Sequence, residues 1–318
     1  MKSLIPLLTL GALLASPAVL QAKITRTVEK TFTVQPGGHF KASTQGGDIT
    51  IKTAEANEIR ISAKQVIRAS TDKEADEILQ DLTLTFEQSG NDVVAEAKYE
   101  KGRVGLHFGN WPPVSVSFTV TVPHNFNLNL NTSGGDIAVA SLKGDVRART
   151  SGGELKFDRI EGDLDGHTSG GDIVLTEGTA RAKLGTSGGN IQIERAGGPT
   201  EVSTSGGDIT INSAAQLISA TTSGGNVKAT ITEPIKQDTL LSTSGGDVRV
   251  RVVKGVGFQL DASTSGGDVN AEGLTLTIDK GGIGKGGIGK SRLVGNVNGG
   301  GPRLKLRSSG GDITIKTD

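Results

Sequence analysis

The tetrapeptide Thr-Ser-Gly-Gly begins at Thr132, Thr150, Thr168, Thr186, Thr204 and Thr222, in five consecutive steps of 18 residues. It returns at Thr243 and Thr264 after steps of 21, and as Ser-Ser-Gly-Gly at Ser308 after 44, about two long steps. A relative, STQGGDITI, starts at Ser43. A fixed period of this length constrains the fold more than any isolated motif. Each repeat must be one supersecondary unit that buries its apolar face against its neighbours.

Every unit has the same grammar. Asp, Glu or Asn follows the glycine pair, and then apolar residues alternate: Ile137 and Val139, Leu155 and Phe157, Ile173 and Leu175, Ile191 and Ile193, Ile209 and Ile211. A second alternating run precedes the next Thr: Val146 and Ala148, Leu164 and Gly166, Ala182 and Leu184, Thr200 and Val202, Ile218 and Ala220. Alternation with period two marks strands with one buried face. Early units even halve, since TSGGDIAVA and SLKGDVRAR share a Gly-Asp-apolar-x-apolar core at nine-residue spacing.

Short strands, regular turns and a constant period predict an all-β chain. The expected form is a β-solenoid, a flattened β-helix with coils of about 18–22 residues. The Gly-Gly pair is expected at the corner, where it would supply the backbone angles of a tight bend. The following acid or Asn would bond nearby amides. The Thr, inward in phase, predicts a stacked column of hydroxyls. The 47 glycines and an aromatic content of 3% fit this form and argue against long helices.

The chain divides by composition. Residues 1–22, MKSLIPLLTLGALLASPAVLQA, have the shape of a secretory signal peptide: Lys2, an apolar run from Leu4 to Leu14, and Ala18 or Ala22 at the cleavage side. The run is too short to span a bilayer, and no second apolar span follows, so no transmembrane segment is expected in the mature chain. Residues 23–131 are less regular and read as a first coil plus an N-terminal cap. One short helix is expected near 72–82, with Thr71 and Glu74 as a capping box and Ala75, Ile78, Leu79 and Leu82 on one face. Residues 132–318 carry the solenoid repeats, with a Gly/Lys-rich loop at 280–291.

Composition excludes several functions. The absence of cysteine removes disulfides, thiol catalysis and Cys-based zinc sites. Charge is balanced, 34 basic against 34 acidic side chains, so no polyanion partner is implied, and no nucleic acid is expected. The segment GKGGIGKS at 284–291 spells a phosphate-binding loop. That motif needs a strand before it and a helix after it, whereas Gly295, Gly299, Gly300, Gly301 and Pro302 stand where the helix would run. The segment also duplicates GGIGK, as an expanded loop would, so no nucleotide is expected.

Other constellations are weak. The repeated Asp136, Glu154, Asp172, Asn190, Asp208, Asn226, Asp247, Asp268 and Asp312 should form a column, and closely spaced carboxylates invite calcium. The motif of calcium-binding rolls is missing, however, and two members are Asn, which favours turn capping. An ice-binding face would need a Thr-x-Thr plane, yet the outward position holds Ala138, Lys156, Val174, Gln192, Thr210, Lys228 and Arg249. Glu161, Asp163 and Asp165 with Arg147, Arg149 and Arg159 could serve a glycan-cleaving enzyme or form a solvated face of alternating charge. His39, His107, His124 and His167 show no metal spacing, and Trp111 and Tyr99 read as cap packing.

Three segments carry a resemblance: FTVQPGGHFKASTQGGDITI, VTVPHNFNLNLNTSGGDIAV and GNVNGGGPRLKLRSSGGDITI. With them the chain resembles the bacterial "putative adhesin" family of exported β-strand-repeat proteins, a domain of unknown function. The resemblance spans nearly the whole mature chain and implies no catalytic, cofactor or metal residues. The expectation is a non-enzymatic adhesin or envelope scaffold, periplasmic or extracellular. It would work by multivalent surface contact with an envelope polysaccharide or a protein ligand. A carbohydrate-active β-helix enzyme is the alternative.

Overall fold

A computed structural model of the protein describes residues 23–100, 113–277, 283–285 and 291–317. The signal-like segment 1–22, His107, Trp111 and the core of the Gly/Lys-rich segment at 286–290 lie outside them. The described chain is all-β with one helix, its strands joined in a single hydrogen-bonded sheet.

The period becomes register. Strand Val146–Arg149 pairs in parallel with Asn127–Thr132 on one side and Leu164–His167 on the other, each partner 18 residues away. Strand Leu155–Ile160 is flanked in the same way by Ile137–Val139 and Ile173–Gly178. Each repeat thus gives one strand to a ladder before the Thr-Ser-Gly-Gly corner and one to a ladder after it, a solenoid-like stack. Inward side chains of both ladders share one core. Phe157, 1% exposed, stands against the glycine at 166, where an added Cβ would lie 3.2 Å from its ring and 2.9 Å from Leu184. Of the apolar pairs named above, one departs from the expected inward position. A register shift between Thr200 and Glu201 puts Leu217, not Ile218, into the core beside Ala220.

Chain order and stacking order differ at both ends. Strands Arg303–Ser308 and Ile313–Thr317, the last in sequence, insert between Thr239–Ser242/Val248–Val252 and Phe258–Thr264/Val269–Glu272. The 44-residue step is therefore an excursion outward and back, not two further coils. Arg307 secures the insertion by donating from Nη1 to the Asp261 carbonyl and from Nη2 to its carboxylate, both at 2.6 Å. At the other end, His39–Thr44 and Ile49–Ala54 lie between the 127–139 repeat and strands Asp92–Tyr99 and Val114–Pro123. Antiparallel strands Ile24–Thr33, Glu58–Ile67 and Leu82–Ser89 cover that end. Residues 23–131 thus supply more than one layer of the stack.

The helix spans Asp72–Leu79, three residues shorter than its periodicity suggests, because Leu82 opens the next strand. Thr71 Oγ1 accepts from the Glu74 amide at 3.2 Å, and the Glu74 carboxylate accepts from the amide of Ser70 rather than Thr71, at 2.8 Å. Ala75 is its buried anchor, and Tyr99 joins the core at this end.

Candidate functional site

The corners explain the repeated residues. Thr168 is fully buried. Its Oγ1 donates to the Gly153 carbonyl of the preceding repeat at 2.8 Å and accepts from the Gly171 amide at 3.3 Å. Thr132, Thr150, Thr186, Thr204, Thr222, Thr243 and Thr264 repeat the pattern, as does Ser308. The expected hydroxyl column therefore exists, but each hydroxyl bonds backbone, not its neighbour. The corner glycines also differ from expectation. None has a left-handed φ. Gly171 is glycine because a Cβ there would stand 2.0 Å from the Gly153 carbonyl oxygen of the preceding layer.

The acid column is likewise spent on backbone. Asp136 Oδ1 accepts from the Glu154 amide at 2.8 Å, Asp172 from Asn190 at 2.7 Å, Asn190 from Asp208 at 2.9 Å, and Asp208 from Asn226 at 2.6 Å. The bonds continue through Asp247 and Asp312 to Asp268. Asn serves as well as Asp because only a carbonyl-type oxygen is needed. Glu154, one methylene longer, instead meets Lys156 at 2.7 Å and raises that ammonium's pKa through the hydrogen bond.

The halved repeats build a second, shorter column of the same kind. Asn127 Oδ1 accepts from the Asp145 amide, Asp145 from Asp163, and Asp163 from Arg181. This column forms one wall of a cavity of about 710 Å³. The floor is a row of outward side chains from successive strands: Val94, Lys41, Asn129, Arg147, Asp165 and Lys183. The groove runs across the strands through six layers, about 25 Å at the usual strand spacing.

Its acids are already engaged. Asp145 and Asp163 cap amides, Asp165 lies 3.5 Å from both Arg147 and Arg149, and Asp92 lies 3.2 Å from His39 Nδ1. Of the acid–arginine set read from the sequence, Asp163, Asp165 and Arg147 line the groove. Glu161 and Arg159 pair with each other at 2.9 Å away from it, and Arg159 reaches Glu177 of the next layer at 3.5 Å. His124 lies 3.8 Å from Glu55, apart from His39. Among the described residues no cluster of His, Asp or Glu has the arrangement of a metal site. The groove itself was not legible beforehand. Its one sequence signal was the nine-residue halving, which predicts a second capped corner beside the early repeats.

The phosphate-loop spelling meets a strand where it needs a helix. Ser291–Val297 runs antiparallel to Phe258–Thr264, and Ile283–Lys285 pairs with its beginning, so strands enter what reads as a loop at 280–291. No helix among the described residues is long and apolar enough to cross a membrane.

Fold and groove together define a β-repeat protein with a polar cleft across its layers. The chain belongs to the Toastrack family (DUF4097), which matches residues 39–316. No curated protein matches it. Solved structures similar to it include a putative adhesin from Bacteroides fragilis (14% identity, 92% of this chain and 97% of that one, TM-score 0.42). A putative lipid binding protein from Parabacteroides distasonis has 12% identity, coverage of 92% and 96%, and TM-score 0.42. A putative cell adhesion protein from Clostridium sporogenes has 13% identity, coverage of 92% and 100%, and TM-score 0.23.

Proposed function

We propose that this protein is an exported, non-enzymatic β-solenoid that acts in the cell envelope as an adhesin or scaffold and holds a glycan chain along the groove. The observation that carries the reading is a polar cleft crossing six layers whose carboxylates are committed to backbone amides, His39 and arginines. Such a cleft offers repeated shallow contacts rather than a poised acid and base, and repetition along a polymer gives avidity without one deep pocket. Residues 1–22 would direct export, 23–131 would cap the stack, and 132–318 would carry the repeats.

Co-sedimentation of the mature protein with peptidoglycan, outer membrane and exopolysaccharide fractions tests the reading. Saturable binding to a glycan fraction supports it, and no binding to any fraction removes it. One observation favours a second reading, a glycan-cleaving enzyme: Asp163, Asp165 and Arg147 share the cavity. Release of new sugar ends from a bound polymer, lost in Asp163→Asn and Asp165→Asn, would establish that alternative.

A further inference from the structure

A second cavity lies on the other ladder, toward the C-terminal end of the stack. It measures about 360 Å³ and is lined by Lys228, Arg249, Arg251 and Lys316 with Asn212, Thr230 and Thr314 among its polar neighbours. No acid lines it, in a chain whose charges balance overall. Parallel register makes the cluster. Lys228 stands beside Arg249 and Arg249 beside Thr314, while Thr230 stands beside Arg251 and Arg251 beside Lys316. All four cations are exposed.

Acids stand at its margin. Asp247 takes Arg249 at 2.7 Å, Glu272 takes Lys316 at 2.8 Å, and Glu194 accepts from Asn212 at 2.7 Å. Elsewhere on this ladder cations alternate with acids, as Arg159 and Arg195 do around Glu177. Here four cations sit on three adjacent strands, with no acid in the cavity lining between them.

We propose that this face is a second binding site, for the carboxylate or sulfate groups of an acidic polysaccharide. The proposal rests on the reading of the protein as a glycan binder but concerns a different surface. Outward side chains of neighbouring strands project side by side rather than converging on a point. They match anionic groups spaced along a chain better than one isolated ion. The Thr and Asn side chains between the cations supply partners for sugar hydroxyls, and arginine grips carboxylate or sulfate with two parallel hydrogen bonds. A membrane surface fits less well, since Val253 is the one exposed large apolar side chain among the described residues.

The test compares the full protein with Lys228→Gln/Arg251→Gln for binding to polygalacturonate, chondroitin sulfate, neutral dextran and anionic phospholipid vesicles. The control is Lys30→Gln/Lys73→Gln, which removes two exposed cations outside both cavities, and unfolding curves check that each variant is folded. Because exposed charges are screened by salt, acidic-polymer binding should weaken as ionic strength rises. The expected result is at least a tenfold loss of acidic-polymer affinity in the first variant and wild-type affinity in the second. Equal acidic-polymer binding by wild type and the first variant overturns the proposal, as does binding only to vesicles. Binding of neutral but not acidic glycans overturns it while sparing the adhesin reading. Failure to bind any glycan removes both.

Discussion

Replacing Thr168 by valine keeps the shape of the side chain and removes both of its hydrogen bonds. The threonine is 0% exposed, donating to Gly153 at 2.8 Å and accepting from Gly171 at 3.3 Å. Valine therefore leaves a buried carbonyl and a buried amide without this partner, at about 1–3 kcal/mol for each unsatisfied group. It also places a methyl where a 2.8 Å contact now stands. Together these effects should cost about 2–6 kcal/mol. Thr168→Ser keeps both bonds and loses one buried methyl, about 1 kcal/mol. The protein contains the control, because Ser308 makes the same two bonds at 2.8 and 2.9 Å. Urea unfolding of the three proteins, with hydrogen exchange of the amides from 150 to 172, measures both the cost and its location. In a stack of coupled repeats the loss should be greatest in the layers touching Thr168. If valine proves as stable as serine, the Thr column owes its place to packing and the hydrogen-bond argument fails.

The two corner glycines should respond differently to alanine. Gly171→Ala is expected to cost about 3 kcal/mol or more, because its Cβ would fall 2.0 Å from a carbonyl oxygen. Gly170→Ala, with its nearest contact at 3.4 Å, should stay within about 0.5 kcal/mol in thermal unfolding. Asp172→Asn should be tolerated, and neither calcium nor a chelator should move the melting temperature; a rise with calcium would show that the column binds metal. Asn129→Trp places an indole on the groove floor and should weaken glycan binding at least tenfold while leaving stability unchanged, and unaltered affinity would locate the glycan elsewhere. Asp261→Ala strands the half-buried Arg307 and should speed amide exchange in 258–272 ahead of the central repeats.

Local pattern was readable wherever geometry repeats. The alternation at Ile137, Val139, Leu155 and Phe157 fixed the buried face, since a strand has only two sides. The corner residues were recognised as corner residues, but for an incomplete reason. Sequence shows that two glycines recur, not that Gly171 faces the carbonyl of another layer. Leu217 rather than Ile218 enters the core because of a bulge, and one added residue exchanges inward and outward sides. The groove was hidden for a related reason. Asn129, Arg147 and Lys183 look like ordinary solvated positions until the 18-residue register sets them in one row. The cationic cluster depends on register in the same way, and its Lys316 stands beside Arg251 only because the last repeat is threaded inward.

That threading also bears on how a repeat protein stops. A stack whose last repeat in sequence was also last in space would present a bare parallel strand in the register of every other layer, a template for another copy. Here Arg303–Thr317 is held inside the stack, and Phe258–Thr264 beyond it is covered by antiparallel Ser291–Val297, so the parallel edge left at this end among the described residues is the four-residue Val269–Glu272, too short to be a good template. At the opposite end the 39–54 repeat is held inside in the same manner. The outer strand Ile24–Thr33, antiparallel to Glu58–Ile67, carries Arg26, Glu29 and Lys30. A second copy meeting this edge would face reversed polarity, the wrong register and charged side chains. The excursions between 54 and 114 and between 272 and 303 therefore serve the same end. They return the chain to the stack after its outer layer has been laid down, so the repeated surface can be long without growing.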